Sequence, residues 1–324
     1  MFSSTNIGHC HPYVAKKVIE QTEKLSMANI ATHNATHGPF AEMMCKRFGY
    51  DKMISMTSGT EAADTACKIA RKWGIQTKGI SPQSCLILGV GSSYHGLGKA
   101  AMNVNPTDGS PLAYGDAEAM RRCLSEPHEN VAAVIMECLH GASRTVEEEI
   151  AYAKGIYELC HQYNVLFIAD EVRQGAGKTG KFLSYEHIGT DFKPDIVTMA
   201  AAVATIEVID REDLMNHAVT LGTKWKAILE RWNHPKIDYV NSMAADSDSY
   251  IRGCFGPRLA ALCMHKGLLV YPRPDGLRIS FAMNMPTEDL LKGAEIIKEA
   301  LDEIDEYDEM PGEDFSKTMA SVEA

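Results

Sequence analysis

The stretch Val165–Val172 reads VLFIADEV, an apolar run closed by two acidic residues, and it decides the fold. A short apolar run of this kind is typical of a strand that is buried on both faces of a parallel sheet. Such a strand delivers Asp170 to the crevice at the carboxyl ends of the strands, where open α/β sheets bind ligands. A carboxylate there needs a partner, either a metal or a protonated ring nitrogen. The alternative is that Asp170 only caps the loop that follows.

Similar apolar runs alternate with helical patterns along the chain, which predicts an α/β fold with a large, doubly wound, mostly parallel sheet. The expected strands are Met53–Met56, Cys85–Val90, Val131–Met136, Val165–Ala169 and Asp195–Met199. The expected helices are Gly59–Gly74, Glu147–Tyr163, a long one at Ala202–Trp232 and a closing one from Thr287 to about Ile304. Short strands near Leu268–Tyr271 and Leu277–Phe281 predict a smaller α+β domain at the C-terminal end.

The composition is that of a globular protein with no sign of nucleic-acid binding. The chain has 324 residues and a net charge of −11, whereas phosphate binding needs clustered Lys and Arg. Its 9 cysteines include no C-x-x-C pair, which predicts reduced thiols. The sequence shows no membrane-length apolar run and no signal peptide, so we expect a cytosolic protein. The acidic tail, residues 307–324, is expected to be solvated and disordered.

Two loops carry candidate ligand contacts. Ser58–Ala62, SGTEA, lies between an expected strand and a helix, where backbone N–H groups bind phosphate well. The same pattern also serves as an ordinary helix N-cap. Gly89–Gly96, GVGSSYHG, fails the dinucleotide fingerprint because Tyr94 stands at the third glycine position. Tyr94 is then either a ring that stacks on a flat cofactor or a packed loop tyrosine.

Two further segments resemble ligand sites but lack residues that those sites need. Gly175–Phe182 has P-loop spacing, but Phe182 replaces the Ser or Thr that binds magnesium. His9–His11 has no fourth metal ligand nearby and is better explained as a turn before a helix that opens at Pro12. We therefore expect no metal site, and a nucleotide-binding protein that uses Gly175–Lys181 remains an alternative from a different class.

Taken together, the motifs resemble those of class III pyridoxal-phosphate aminotransferases, closest to the ornithine and acetylornithine aminotransferases. The resemblance covers roughly residues 2–304 and rests on four segments in the family's order, Asn6–Pro12, Ser58–Gly74, Tyr94–Gly96 and Asp170–Gly180. It implies a fold-type I transferase whose cofactor is pyridoxal 5'-phosphate (PLP). The implied units are an N-terminal segment (1–22), a large PLP-binding domain (23–201), a linking helix with the small domain (202–306) and the tail.

The resemblance also implies the contacts of the cofactor and the substrates. Asp170 would pair with the ring N–H and keep the ring protonated, as an electron sink requires. Arg278 matches the arginine that binds the substrate carboxylate, an ion whose geometry suits the guanidinium fork. The substrates would be an ornithine-like amino donor and a 2-oxo acid, and the protein would be a homodimer. The residues matched to cofactor contacts are Gly59, Thr60, Tyr94, His95, Asp170, Val172 and Arg173, the last in place of a glutamine.

The chain departs from the family pattern directly after Met199. There the resemblance implies Gly-Lys, with the lysine that forms the Schiff base, but the chain reads Ala200–Ala202 and continues into a helix. None of the nearby lysines is at the Schiff-base position. Lys193 lies before the strand at Asp195–Met199, and Lys178 and Lys181 lie in the loop after Asp170. The resemblance implies that a whole segment is missing here together with the lysine. That segment would also supply an antiparallel strand between the strands at Asp195–Met199 and Met53–Met56.

Loss of that lysine removes both the covalent attachment of the cofactor and a proton-transfer base. General acid–base catalysis alone contributes about 10²–10⁴-fold, so we predict no useful turnover. Three explanations stay open. The chain is a shortened copy of a working aminotransferase, a homologue that binds pyridoxal or pyridoxamine phosphate without catalysis, or a protein with residual activity.

Overall fold

The computed structural model describes residues 5–26, 33–91, 93–96, 106, 108–125, 128–141, 143, 145–200, 202–251 and 256–307. One of the two sheets that these residues form is parallel, with four strands in the order β1-β2-β3-β4. The predicted strands after the first are confirmed with ends shifted by at most two residues. These strands are β1 (Leu86–Gly89), β2 (Val131–Met136), β3 (Leu166–Glu171) and β4 (Ile196–Met199).

Helices cover both faces of this sheet because the strands are apolar on both sides. The helices of this part are α1 (Pro12–Lys24), α2 (His37–Phe48), α3 (Gly59–Gln76), α4 (Ala117–Ser125) and α5 (Val146–Gln162). The predicted helices near residues 59–74 and 147–163 are thus confirmed. On one face, the small residues Ala63, Ala66 and Ala70 of α3 pack against Ile135 and Ile168, which lets the helix approach the sheet closely. Helices α4 and α5 contribute to the larger core on the other face.

The C-terminal part forms an antiparallel sheet in the order β5-β6-β8-β7, as expected for an α+β unit. The predicted long helix at Ala202–Trp232 is wrong in one respect, because Asp213 adopts a left-handed conformation (φ 49°) and divides it. The elements are α6 (Val203–Arg211), α7 (Leu214–Trp232), β5 (Ile237–Met243), β6 (Asp246–Ile251), α8 (Gly256–His265), β7 (Tyr271–Arg273), β8 (Gly276–Ser280) and α9 (Thr287–Glu303). Most of the acidic tail lies outside the described residues.

The strand expected at Met53–Met56 is wrong, since these residues form no strand. Strand β4 pairs with β3 and has no second neighbour among the strands that the structure describes. A groove of about 580 Å³ separates β4 from this segment. Without a hydrogen-bonded neighbour an extended segment has nothing to pair with, which explains why residues 53–56 stay irregular.

Candidate active site

Asp170 lies at the carboxyl end of β3, and its side chain is 2% exposed. Its Oδ2 is 2.6 Å from Nδ1 of His95, and its Oδ1 accepts hydrogen bonds from Thr198 Oγ1 at 2.8 Å and from the Val172 N–H at 3.1 Å. The bond from Val172 is the loop cap that the sequence offered as an alternative. The carboxylate also bridges β4 and the loop that carries His95, so it does more than cap its own loop.

The N-terminus of α3 lies against the loop that follows Asp170. Ser58 caps the helix by accepting from the Glu61 N–H at 3.2 Å. A Cβ at Gly59 would overlap the Val172 side chain, and a Cβ at Gly96 (φ +87°) would overlap the side chain of Thr60. The structure therefore brings together the segments at Ser58–Ala62, Tyr94–Gly96 and Asp170–Val172, which are far apart in sequence. Glycine is needed at the two points where they touch.

Tyr94 precedes this meeting point and is 69% exposed. The alternative of a packed loop tyrosine is therefore wrong. An exposed ring next to His95, which contacts Asp170, is free to stack on a flat ligand.

Arg173 and Arg278 converge on the loop that follows β2. Arg173 donates from Nε to Glu137 at 2.6 Å and from Nη2 to the carbonyl of His140 at 2.8 Å. Arg278, on β8, donates from Nη2 to the same His140 carbonyl at 3.1 Å. Burial would raise the pKa of the Glu137 carboxyl, but Arg173 and His140 beside it hold that pKa below its usual range.

Three acceptors and donors at this site were missed by the sequence analysis. Thr198 lies opposite Asp170 in the β3–β4 register. Glu137 follows the last residue of β2, so the rule that selected Asp170 also selects it. Glu149, from α5, accepts from the N–H groups of His140 at 2.8 Å and Ser143 at 3.0 Å, which fixes the loop shape. These two donors lie 9 and 6 residues away in the sequence, but no motif marks the contacts.

The lysines named above donate hydrogen bonds to groups outside β4. Lys193 precedes β4, and its Nζ donates to the Gly49 carbonyl at 2.7 Å. Lys181 donates to the Glu186 carbonyl at 2.8 Å, and Lys178 donates to Ser280 Oγ at 2.7 Å. At the end of β4 itself, Ala202 is the N-cap of α6. Ala201 lies outside the described residues.

The loop at Gly175–Phe182 is not a phosphate cradle. The N–H groups of Gly175, Gly177 and Gly180 donate to the carbonyls of Glu171, Phe182 and Gly177. A P-loop needs these groups free and a helix directly after the loop. The nucleotide-binding alternative therefore has no structural support. In the part of the chain that the structure describes, no group of three His, Cys, Asp or Glu side chains could hold a metal ion.

A comparison with protein families matches residues 1–111 and 112–205 to the model for aminotransferase class-III. The chain belongs to the class-III aminotransferases. The ornithine aminotransferase car2 of Schizosaccharomyces pombe is 29% identical over 377 residues, which cover 96% of this chain and 85% of the relative. Because that alignment is longer than the 324 residues of this chain, the relative contains residues that have no counterpart here.

Solved aminotransferases share the fold of this class-III chain. The ornithine aminotransferase of Toxoplasma gondii, crystallized with partial occupancy of PLP at its active site, has a TM-score of 0.80 at 25% identity. The superposed region covers 94% of this chain and 85% of the Toxoplasma protein. The acetylornithine aminotransferase of Elizabethkingia anophelis has a TM-score of 0.78 at 24% identity, with 93% and 88% coverage. The expected fold-type I architecture is thus confirmed.

PLP is the cofactor of class-III aminotransferases, and the residues of this site fit it. Gly59 and Thr60 present the first backbone N–H groups of α3, which an anion can accept. A carboxylate has about four acceptor positions. Among the residues that the structure describes, Asp170 Oδ2 accepts a hydrogen bond from His95 alone, so it retains room for a ring N–H. No helix among the described residues is long and apolar enough to cross a membrane.

Proposed function

We propose that this chain is an ornithine-aminotransferase-like protein that binds PLP or pyridoxamine phosphate without a covalent bond. With this sequence it does not catalyse transamination. The observation that carries the proposal is the contrast between Asp170, which keeps its buried acceptor position, and the end of β4, which leads to Ala202 and α6 without a lysine. Bound cofactor would supply the electron sink for transamination. The residues of this chain would bind and orient it.

The phosphate would bind to the N–H groups of Gly59 and Thr60, where the α3 dipole favours an anion. Asp170 would accept the ring N–H, while His95 and Thr198 fix its carboxylate plane. Tyr94 would cover one ring face and Val172 the other.

The substrate side of the proposal rests on Arg173 and Arg278. Both guanidinium groups lie beside the His140 carbonyl, and the Glu137 carboxylate offsets the charge of Arg173. A carboxylate that enters this corner would therefore meet the positive charge of Arg278. Arg278 would bind the substrate carboxylate. Arg173 would orient the loop through Glu137, in addition to facing the cofactor.

We extend the proposal to the partners and boundaries that the resemblance implies. An ornithine-like amino donor and a 2-oxo acid are the proposed substrates of the complete protein, since the relatives are ornithine aminotransferases. We also propose a homodimer, a cytosolic location, and domains at 23–201 and 202–306.

Two measurements test this proposal. Titration with pyridoxamine phosphate, which cannot form a Schiff base with lysine, should show saturable binding. Asp170→Asn should weaken the binding at least about 10-fold, because a hydrogen bond to a charged group contributes roughly 1.5–3 kcal/mol. Equal binding by both proteins would contradict the assignment of Asp170.

Sequencing of cDNA across Met199–Val203 separates a shortened copy from a true non-catalytic homologue. A transcript that carries an extra in-frame segment with a lysine supports the shortened copy. An uninterrupted Ala200–Ala202 in every transcript leaves the non-catalytic homologue as the explanation.

A further inference from the structure

The corner that holds Arg278 is built from two parts of the fold. Arg278 lies on β8 of the antiparallel sheet, whereas the His140 carbonyl that it contacts lies in the loop that follows β2 of the parallel sheet. The two residues are 138 positions apart in the sequence, so no local structure sets the distance between them. Contacts between the antiparallel sheet and this loop must therefore place the guanidinium group.

One face of the antiparallel sheet meets the loop at a second point. Asn241 on β5 pairs with Asp248 on β6, and Asp248 pairs with Arg278 on β8, so the three residues form one row across the sheet. Residues that are opposite each other in an antiparallel pair share a face, and Asn241 and Arg278 therefore lie on the same side. The side-chain amide of Asn241 donates to the Ser143 carbonyl at 2.8 Å, three residues after the carbonyl that Arg278 contacts.

Glu149 is the side chain that joins these two points. It lies in the first turn of α5 and is 1% exposed, and its carboxylate accepts from the N–H groups of His140 at 2.8 Å and Ser143 at 3.0 Å. Asn241, itself buried, donates to the same carboxylate at 3.3 Å. Burial raises the pKa of the Glu149 carboxyl, and the loop N–H groups lower it. Because a buried polar group that loses its partner costs free energy, the carboxylate, the loop and β5 form one hydrogen-bonded unit.

We propose that Asn241 and Glu149 are positioning residues for the carboxylate site. They hold the antiparallel sheet against the loop that follows β2, and this contact places Arg278 where a substrate carboxylate enters. Both side chains are buried, so they act through Arg278 and not on the ligand itself. The inference rests on the proposed function, which assigns the substrate carboxylate to Arg278.

Two phosphopyridoxyl compounds isolate the carboxylate in a binding experiment with the full chain. N-(5'-phosphopyridoxyl)-L-alanine carries a carboxylate, and N-(5'-phosphopyridoxyl)-ethylamine is the same molecule without it. The ratio of their dissociation constants, measured by calorimetric titration, gives the carboxylate preference of the site. For the unsubstituted protein we expect a preference of at least about 10-fold for the alanine compound, because hydrogen bonds between a guanidinium group and a carboxylate are among the strongest in proteins.

Two variants break the unit, and two others serve as controls. Asn241→Ala removes the donor on β5, and Glu149→Gln replaces one acceptor oxygen with an amide NH₂ group. Each should lower the preference to under about 3-fold and leave the affinity for the ethylamine compound within about 2-fold, since distant sites act independently. Asn241→Gln keeps the amide and should retain more of the preference than Asn241→Ala. Val240 is the next residue of β5 and packs against the core, so Val240→Ala weakens the strand on its other face and should keep the full preference.

The outcomes separate this inference from the function on which it rests. A folded Asn241→Ala or Glu149→Gln protein with the preference of the unsubstituted protein would overturn the inference, and if one of the two fails to fold, the other decides. An equal loss in Val240→Ala would also overturn it, because the preference would then follow general stability. Binding of both compounds without a preference would overturn the inference and leave the cofactor site intact. A protein that binds neither compound would contradict the proposed function itself, and the inference with it.

Discussion

At the carboxyl end of β3, Asp170 and Glu171 accept hydrogen bonds from Thr198, Val172, Ser184 and Tyr185, and both side chains are almost fully buried. The next strand, β4, has no second neighbour in the part of the chain that the structure describes, and a groove with exposed Ile54 and Met56 lies beside it. The same sheet thus holds a buried polar site with several hydrogen bonds beside an edge that has no second strand among the described residues. The contacts of Asp170 therefore form without the segment after Met199, because His95, Thr198 of β4 and the Val172 N–H supply them.

The largest expected loss of stability comes from an Ile→Ala substitution in β3, which is compared below with the same substitution beside β4. Ile168 of β3 is fully buried, so Ile168→Ala should lower the free energy of unfolding by about 2–5 kcal/mol. Urea denaturation measures this loss. A loss under about 1 kcal/mol would show that β3 is as loosely packed as the edge of β4.

The second prediction concerns the buried carboxyl of Glu171. Burial raises its pKa to about 7, against the hydrogen bonds from Ser184 and Tyr185 that lower it. The folded state therefore holds this proton more tightly than the unfolded state, whose carboxyl titrates near 4.5. Stability from this group is present below about pH 4.5 and is lost as the pH rises through about 7.

Wild-type protein and Glu171→Gln, unfolded in urea between pH 4.5 and 8, measure this effect. The decline across that range should be smaller in the variant by up to about 3 kcal/mol, since one pKa unit corresponds to 1.36 kcal/mol. Identical slopes in the two proteins would contradict the assignment to Glu171.

The third prediction tests the close contact between α3 and the Asp170 loop. Gly59→Ala places a methyl group on Val172 and should destabilise the protein by about 1–3 kcal/mol, the usual cost of overpacking. Adding Val172→Ala should recover most of the loss, which thermal unfolding of the double variant measures. A double variant no more stable than Gly59→Ala would show that the loss does not come from contact with the Val172 side chain.

The smallest effect is expected on the open side of the groove. Ile54→Ala should change stability by at most about 0.5 kcal/mol, because Ile54 is 58% exposed and lies in no strand. Ile54→Ala and Ile168→Ala remove the same atoms, so the two variants differ only in where the side chain lies. A loss near 2 kcal/mol would show that residues 53–56 are packed more firmly than their exposure indicates.

Local signals account for what the sequence predicted. The apolar runs of β2 and β3 and the capped start of α3 specify their elements with few alternatives, and the acid after β3 follows from the geometry of parallel sheets. The strand at Met53–Met56 was predicted from the same kind of signal and is wrong, because a strand needs a hydrogen-bonded neighbour and the described residues provide none there. Strand pairing is a property of the whole sheet.

Contacts between distant segments were the other part that the sequence could not show. The hairpin of β5 and β6 was not predicted, since its polar residues lack a clear alternation. The partners of Arg173 come from the loop after β2, and the length of its side chain lets it reach several acceptors. The break at Asp213 depends on one left-handed residue inside a helical pattern.

The central claim is that the site holds the cofactor without a lysine that can bind it covalently. The most direct measurement is incubation with PLP, reduction with borohydride, and mass spectrometry of the intact protein and its peptides. We predict only scattered, substoichiometric labelling of surface lysines that excess pyridoxamine phosphate does not suppress. Stoichiometric labelling of a single lysine, abolished by pyridoxamine phosphate, would contradict the account.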